Sequence, residues 1–163
     1  LDGRFVERVL ASCRSLEALA VLCVAITGAT EAQALRCRRE YLRPEGHRMW
    51  VPGRSTAKGR RIQSRYICLR TWAKPIVTAW VERCVARGLG GAGPLFPSRD
   101  DPTQPRSGLA DLLDAACRRA GLPEIRWRSY GRCISDPHPE VVQRALEQVL
   151  ARAAVPPKRR RPA

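Results

Sequence analysis

A chain of 163 residues with 44% hydrophobic residues is long enough to bury the core of one domain and too apolar to be a disordered chain. Thirty Lys and Arg against fifteen Asp and Glu leave a formal net charge of +15, with arginine far outnumbering lysine. Such a charge opposes compaction unless a polyanion screens it, and guanidinium grips phosphate in a bidentate fork, so nucleic acid is the expected partner.

Seven cysteines form no CxxC pair, and only His47 and His138 could join them, which argues against a zinc site. They read as reduced core residues of a cytoplasmic protein, and no metal or cofactor is expected. The longest apolar stretch, Ala18 to Ile26, is too short to span a bilayer and follows no basic start, so no membrane partner is expected either.

Taken in chain order, residues 3 to 13 place Phe5, Val6, Val9 and Leu10 on one helical face. The run SLEALAVLCVAIT predicts a second, more buried helix with Ser15 as its N-cap, ended by Gly28. A third helix is predicted from Glu31 to about Arg39, with Ala32, Leu35 and Arg36 sharing a face and arginines covering the rest. The period then changes. Two β-prone runs, Met49 to Val51 and Ile62 to Leu69, flank a turn carrying Arg54, Lys58, Arg60 and Arg61, with Pro52 closing the first strand early. That pattern predicts a basic β-hairpin that touches a polyanion.

Helical spacing returns from about Thr71 to Arg87 through Trp72, Ile76, Val77, Trp80, Val81 and Val85, with Pro75 in the first turn. GLGGAGP breaks it, LFPSRDDPTQPRSG is a loop, and Ser107 is the predicted cap of an amphipathic helix that Gly121 closes. A helix near residues 129 to 135 follows, and the last one runs through HPEVVQRALEQVLARAA with Pro139 in its first turn. These elements predict an α+β, mainly helical fold, with helices around a small antiparallel hairpin or three-stranded sheet. Residues 1–152 form the expected domain and residues 153–163 a disordered basic tail.

The order and local text of these elements resemble the catalytic domain of the tyrosine recombinase, or phage integrase, family over roughly residues 1–150. The segments that carry the resemblance are AITGATEAQALRC, GRSTAKGRRI, GPLFPS, ACRRAGLPEIRWRSYGRC and HPEVVQRALEQ. In that family a tyrosine attacks a DNA phosphate, arginines and histidines hold the non-bridging oxygens, and a hairpin lysine protonates the leaving hydroxyl. The resemblance implies duplex DNA as partner, DNA recombination and integration as the family's activity, a second copy or another recombinase as companion on DNA, and a nucleoid-associated, cytoplasmic location.

The catalytic identities depart from the family's pattern. Aligned on TGATEAQAL, the first arginine position holds Thr30 and the glutamate position Gln33. In WRSYGRC the histidine position holds Arg128, the second arginine position Gly131 and the following histidine position Arg132. The Leu-Gly-His box reads Leu146, Glu147, Gln148, the nucleophile region reads Val155, Pro156, Pro157, and no tyrosine follows Tyr130. The hairpin lysine position matches Ser55, with Lys58 three residues away. The expectation is a DNA-binding domain with a degenerate active site that has lost strand cleavage.

Residues left for chemistry are Lys58, Arg128, Arg132 and Tyr130, and those expected to contact DNA are Arg54, Lys58, Arg60, Arg61, Arg126, Arg128 and Arg132. Trp127 and Tyr130 read as packing residues rather than base-stacking ones. Two other classes stay open: a protein-interaction domain that reuses the recombinase shell and docks through Glu140 to Arg152, and a recombinase active only with a partner's nucleophile. The start at Leu1 carries the expectation of a fragment whose upstream DNA-clamping domain lies elsewhere.

Overall fold

The computed structural model describes residues 2–43, 48–55, 57–133 and 135–154. Asp2 opens the first helix by accepting the Phe5 N–H at 2.9 Å, and α1 (Gly3–Ser12) buries Val6, Val9 and Leu10. Ser15 caps α2 (Leu16–Ala25) through the Ala18 N–H, as its position in the sequence predicts. Leu16 and every residue from Ala18 to Ala25 are buried. A helix that is apolar all round has to be enclosed, and α2 packs against α3, α4, α5, α6 and α7 of the elements below. Gly28, at φ +83°, turns the chain out of it.

A capping box between Thr30 and Gln33 starts α3 (Glu31–Arg36), which is shorter than the spacing predicts. Cys37 turns extended, and after a 3-10 turn over Arg39–Tyr41 the chain enters the sheet. Arg39, expected in a solvated arginine coat, is only 4% exposed. Its guanidinium donates to the carbonyls of Leu89, Gly90, Ala92 and Pro94 and thereby organises the glycine-rich loop. Gly93 in that loop has φ +131°, and a Cβ there would lie 2.8 Å from Arg39 Nη2.

Strands β1 (Leu42–Arg43), β2 (Arg48–Val51) and β5 (Arg65–Cys68) form an antiparallel sheet in the order β1-β2-β5, and β3 (Arg54–Ser55) pairs with β4 (Arg61–Ile62) in a separate two-stranded ladder. Ile62, read from the sequence as part of one long strand to Leu69, belongs to this outer ladder. Met49, Val51 and Ile67 point the inner face at the core.

A 3-10 turn over Thr71–Ala73 leads into α4 (Lys74–Ala86), with Pro75 in its first turn. Its buried face is Ile76, Val77, Trp80 and Cys84, whereas Val85 is 48% exposed because Cys84 takes the inward position. The next helix, α5 (Ala110–Arg119), is not capped by Ser107. Glu31 Oε1 on α3 reaches across to accept from Leu109 N at 2.8 Å and from Ala110 N, a cap supplied by another helix. Gly121 closes α5 at φ +65°. The predicted helix near residues 129–135 is the single turn α6 (Trp127–Tyr130), and α7 (Pro139–Ala154) buries Val142, Ala145 and Val149. Glu7 of α1 accepts the His138 N–H at 2.7 Å just before α7.

Among the described residues the result is a mainly helical α+β fold of seven α-helices, a three-stranded antiparallel sheet and a two-stranded ladder, as the composition of the elements predicts. No described helix is long and apolar enough to cross a membrane. Ala153 and Ala154, assigned to the tail, continue α7, and the rest of the predicted basic tail, 155–163, lies outside the described residues. Six of the cysteines are buried as expected, but Cys68 is exposed.

Two outcomes follow. Replacing Glu31 with Ala removes the carboxylate from the start of α5 and should lower unfolding free energy by about 1 kcal/mol in urea titrations. Burial pushes the thiols of Cys13 and Cys37 up to about 12, so an aromatic disulfide reagent should label Cys68 rapidly in the folded protein and the remaining six only on unfolding.

Candidate nucleic-acid interface

The hairpin is one continuous ribbon. β2 and β5 pair from Arg48↔Cys68 to Val51↔Arg65, and β3 and β4 pair Arg54↔Ile62 and Ser55↔Arg61. Both ladders keep a single register, so residues 52–53 and 63–64 form an unpaired joint with nothing inserted in either arm. The joint requires Gly53. A Cβ there would stand 2.2 Å from Ile62 O and 2.8 Å from Ser64 N, and Gly53 N donates to Ser64 Oγ at 2.7 Å.

That register sets the charges. Lys58 falls midway between the paired residues Ser55 and Arg61, beside Gly59 at φ +73°. Arg54 and Arg61 belong to successive pairs, so their side chains leave opposite faces of the ribbon. Arg54, Lys58, Arg60 and Arg61 are all exposed. Arg54, Lys58 and Arg61 have no carboxylate partner among the described residues.

Next to the ribbon, α3 adds a less obvious cation. Arg36 Nε is buried without a hydrogen-bond partner among the described residues. Burial first, and then the charge of Arg54, hold the Arg36 guanidinium below its ordinary pKa. Arg65 Nη2 donates to Gln33 Oε1 at 2.9 Å, tying β5 to α3. On the outer face of the sheet Arg43 and Arg48 are direct cross-strand partners, both exposed, a pairing of like charges that is unfavourable without a counterion. Trp50 and Tyr66, also cross-strand partners, meet edge-on with ring centroids 4.8 Å apart, and Tyr66 is 49% exposed. Arg36, Arg43, Arg48 and this aromatic pair are not among the residues expected from the sequence to contact DNA, although strict alternation in RMWV puts Arg48 and Trp50 on one face.

The second basic cluster is carried by α6 and its flanks. Arg126, Arg128 and Arg132 are exposed and unpaired among the described residues. Their backbone is fixed from within. Trp127 Nε1 donates to Ala29 O at 2.7 Å, and Tyr130, 1% exposed, sets its hydroxyl 3.3 Å from Cys117 Sγ. Burial raises the Tyr130 phenol well above its usual range, and Cys117 raises it further. It is therefore a protonated core residue at neutral pH, held away from solvent. After α6, Arg70 donates to Asp136 and to Cys133 O, and Trp72 Nε1 donates to the same carboxylate at 3.2 Å.

Residues 27–30 join the two clusters. On one side Ala29 and Gly28 touch α6, and on the other Thr30 begins α3, which reaches the ribbon through Gln33 and Arg36. Several positions that the family resemblance would assign to catalysis have structural tasks here. Thr30 and Gln33 close the capping box on each other. Gly131 lies where a Cβ would stand 2.7 Å from Gly28 Cα, so any side chain at this position collides with the turn after α2. Glu147 accepts from Gln143 along α7, Ser55 lies in the ribbon opposite Arg61, and Val155 to Pro157 lie outside the described residues. Among the described residues no group of three or more His, Cys, Asp and Glu could hold a metal. The arrangement leaves exposed arginines on either side of residues 27–30.

Gly131→Ala should destabilise the protein by about 1–3 kcal/mol, read as a lower urea midpoint, because the contact is with backbone that cannot rotate away. Comparison with protein-family models, with curated proteins and with solved structures finds no match to this chain.

Proposed function

We propose that this chain is a duplex-DNA-binding domain with a tyrosine-recombinase-like architecture that holds DNA through its phosphates and does not cut it. The observation that carries this reading is the ribbon: exposed Arg54 and Arg61 on opposite faces, Lys58 at its tip and no neutralising carboxylate on any of them among the described residues. A two-stranded ribbon fits the major groove of B-DNA, whose walls present phosphates to both faces at once. Arg126, Arg128 and Arg132 extend the contact past α6, and a polyanion would relieve the opposed Arg43 and Arg48.

Contacts of this kind position a protein on DNA without reading its sequence. The loss of cleavage rests on Thr30 and Gly131 serving the backbone at the two arginine positions and on Tyr130 lying in the core. Each is a local substitution of a packing role for a chemical one. Shape and charge persist without the nucleophile.

Affinity for a short random-sequence duplex, measured across a salt series, should fall with a log–log slope of about −5, as about six phosphate contacts require. The double substitution Arg54→Ala, Arg61→Ala should weaken binding to all sequences alike and make the slope shallower by about two. Absence of binding at low salt would overturn the reading.

A further inference from the structure

A third concentration of positive charge lies away from the ribbon and from α6, at the other end of α2. There a groove of about 450 Å³ opens between the first turn of α2, the second half of α4, the loop around Pro97 to Pro102 and the end of α7. The ten residues of α2 separate it from residues 27–30 by about 15 Å. Five arginines line it: Arg14, Arg83, Arg87, Arg99 and Arg152. None of them forms a side-chain hydrogen bond or ion pair with another described residue.

One carboxylate shares the lining, Glu17, and Arg106 Nη1 already holds it at 2.7 Å. The positive charge in the groove is therefore unopposed. Arg14 and Arg152 also act on Arg119, whose guanidinium is held below its ordinary pKa by burial first and then by Arg14. So many like charges around one concavity are unfavourable unless an anion enters. In the first turn of α2 the Ser15 hydroxyl already takes the Ala18 N–H, which leaves those of Leu16 and Glu17 without a partner within the helix.

The floor has a different chemistry. Leu16, Trp80, Leu89 and Val149 line it with apolar surface, and the Trp80 indole N–H is occupied by Leu95 O at 2.7 Å. The volume falls in the range of small-ligand sites, and a walled groove with an apolar floor suits a compact ligand carrying both a ring and phosphates. We propose that this groove binds a nucleoside di- or triphosphate, with the phosphates among the arginines and the base against the apolar floor, independently of duplex DNA.

Calorimetric titration of the full chain with adenosine mono-, di- and triphosphate, with inorganic pyrophosphate, and separately with a short random-sequence duplex tests this. Saturable binding should strengthen from mono- to triphosphate, with pyrophosphate weaker than the diphosphate because it lacks the base. The substitution pair Arg87→Glu, Arg152→Glu, both at exposed positions, should weaken triphosphate binding by about tenfold or more and leave duplex affinity within about twofold. Arg54→Ala, Arg61→Ala should do the reverse. The pair Arg14→Glu, Arg99→Glu, outside the helices, should reproduce the loss and guards against misfolding of α4 or α7.

Three results would overturn the proposal: no binding of any phosphate compound at low salt, triphosphate binding undiminished in both groove variants, or duplex affinity lost together with nucleotide affinity in those variants. The last would assign the groove to nucleic-acid phosphates. Loss of duplex binding in the ribbon variant alone leaves the groove untouched, so the two readings fail separately.

Discussion

Enclosure of α2 on every side is the constraint from which the rest of the molecule follows. Side chains such as Leu19 and Leu22 each gain about 1.5–3 kcal/mol by leaving water, and they do so only if five other helices surround them. The packing leaves the two ends of the helix as its points of contact with the surface. At the C-terminal end Gly28 turns the chain at φ +83° and admits Gly131 against its own backbone. At the N-terminal end Ser15 caps the helix beside the arginine-lined groove. Both candidate binding surfaces are thus registered on one rigid rod.

The distribution of acidic residues explains how an excess of bases is organised. Glu31 caps α5, Glu7 accepts from the chain before α7, Glu40 accepts from Gly93, and Asp136 gathers Arg70 and Trp72. These carboxylates are committed to backbone groups and to structural arginines, with Arg106 on Glu17 as another case. Among the described residues none forms an ion pair with Arg54, Lys58 or Arg61 of the ribbon, with Arg126, Arg128 or Arg132 beside α6, or with the arginines of the groove. Arg39 shows the complementary solution: a buried guanidinium satisfied entirely by carbonyl oxygens needs no carboxylate. Two classes of arginine coexist, one holding loops together and one exposed without an ion-pair partner among the described residues.

How far the sequence could be read depended on the range of the interaction. Ser15, Gly28, Pro75 and Gly121 act within a turn of their own position, and each does in the structure what the text around it predicts. Ser107 failed as a cap because Glu31, 78 positions before Leu109, reaches the N–H groups at the start of α5. The third helix stopped short because Arg39 is drawn into a loop some fifty residues later. In the candidate interface, the ribbon arginines were legible as a charged turn between β-prone runs. Their division between two faces depends on pairing register, and the partnerless Nε of Arg36 depends on burial, neither of which spacing alone discloses.

The sequence by itself determined the mainly helical α+β character, the positions of most helices, the buried second helix and the excess of positive charge, because periodicity, caps and composition are local properties of the chain. Only the tertiary structure decided that residues 27–30 bridge two basic clusters, that Gly131 is held by the close approach of Gly28, that Tyr130 is a core residue and that five arginines from four segments line one groove. Those facts arise from contacts between residues remote in sequence. Close packing chooses among them, and no single segment carries the information.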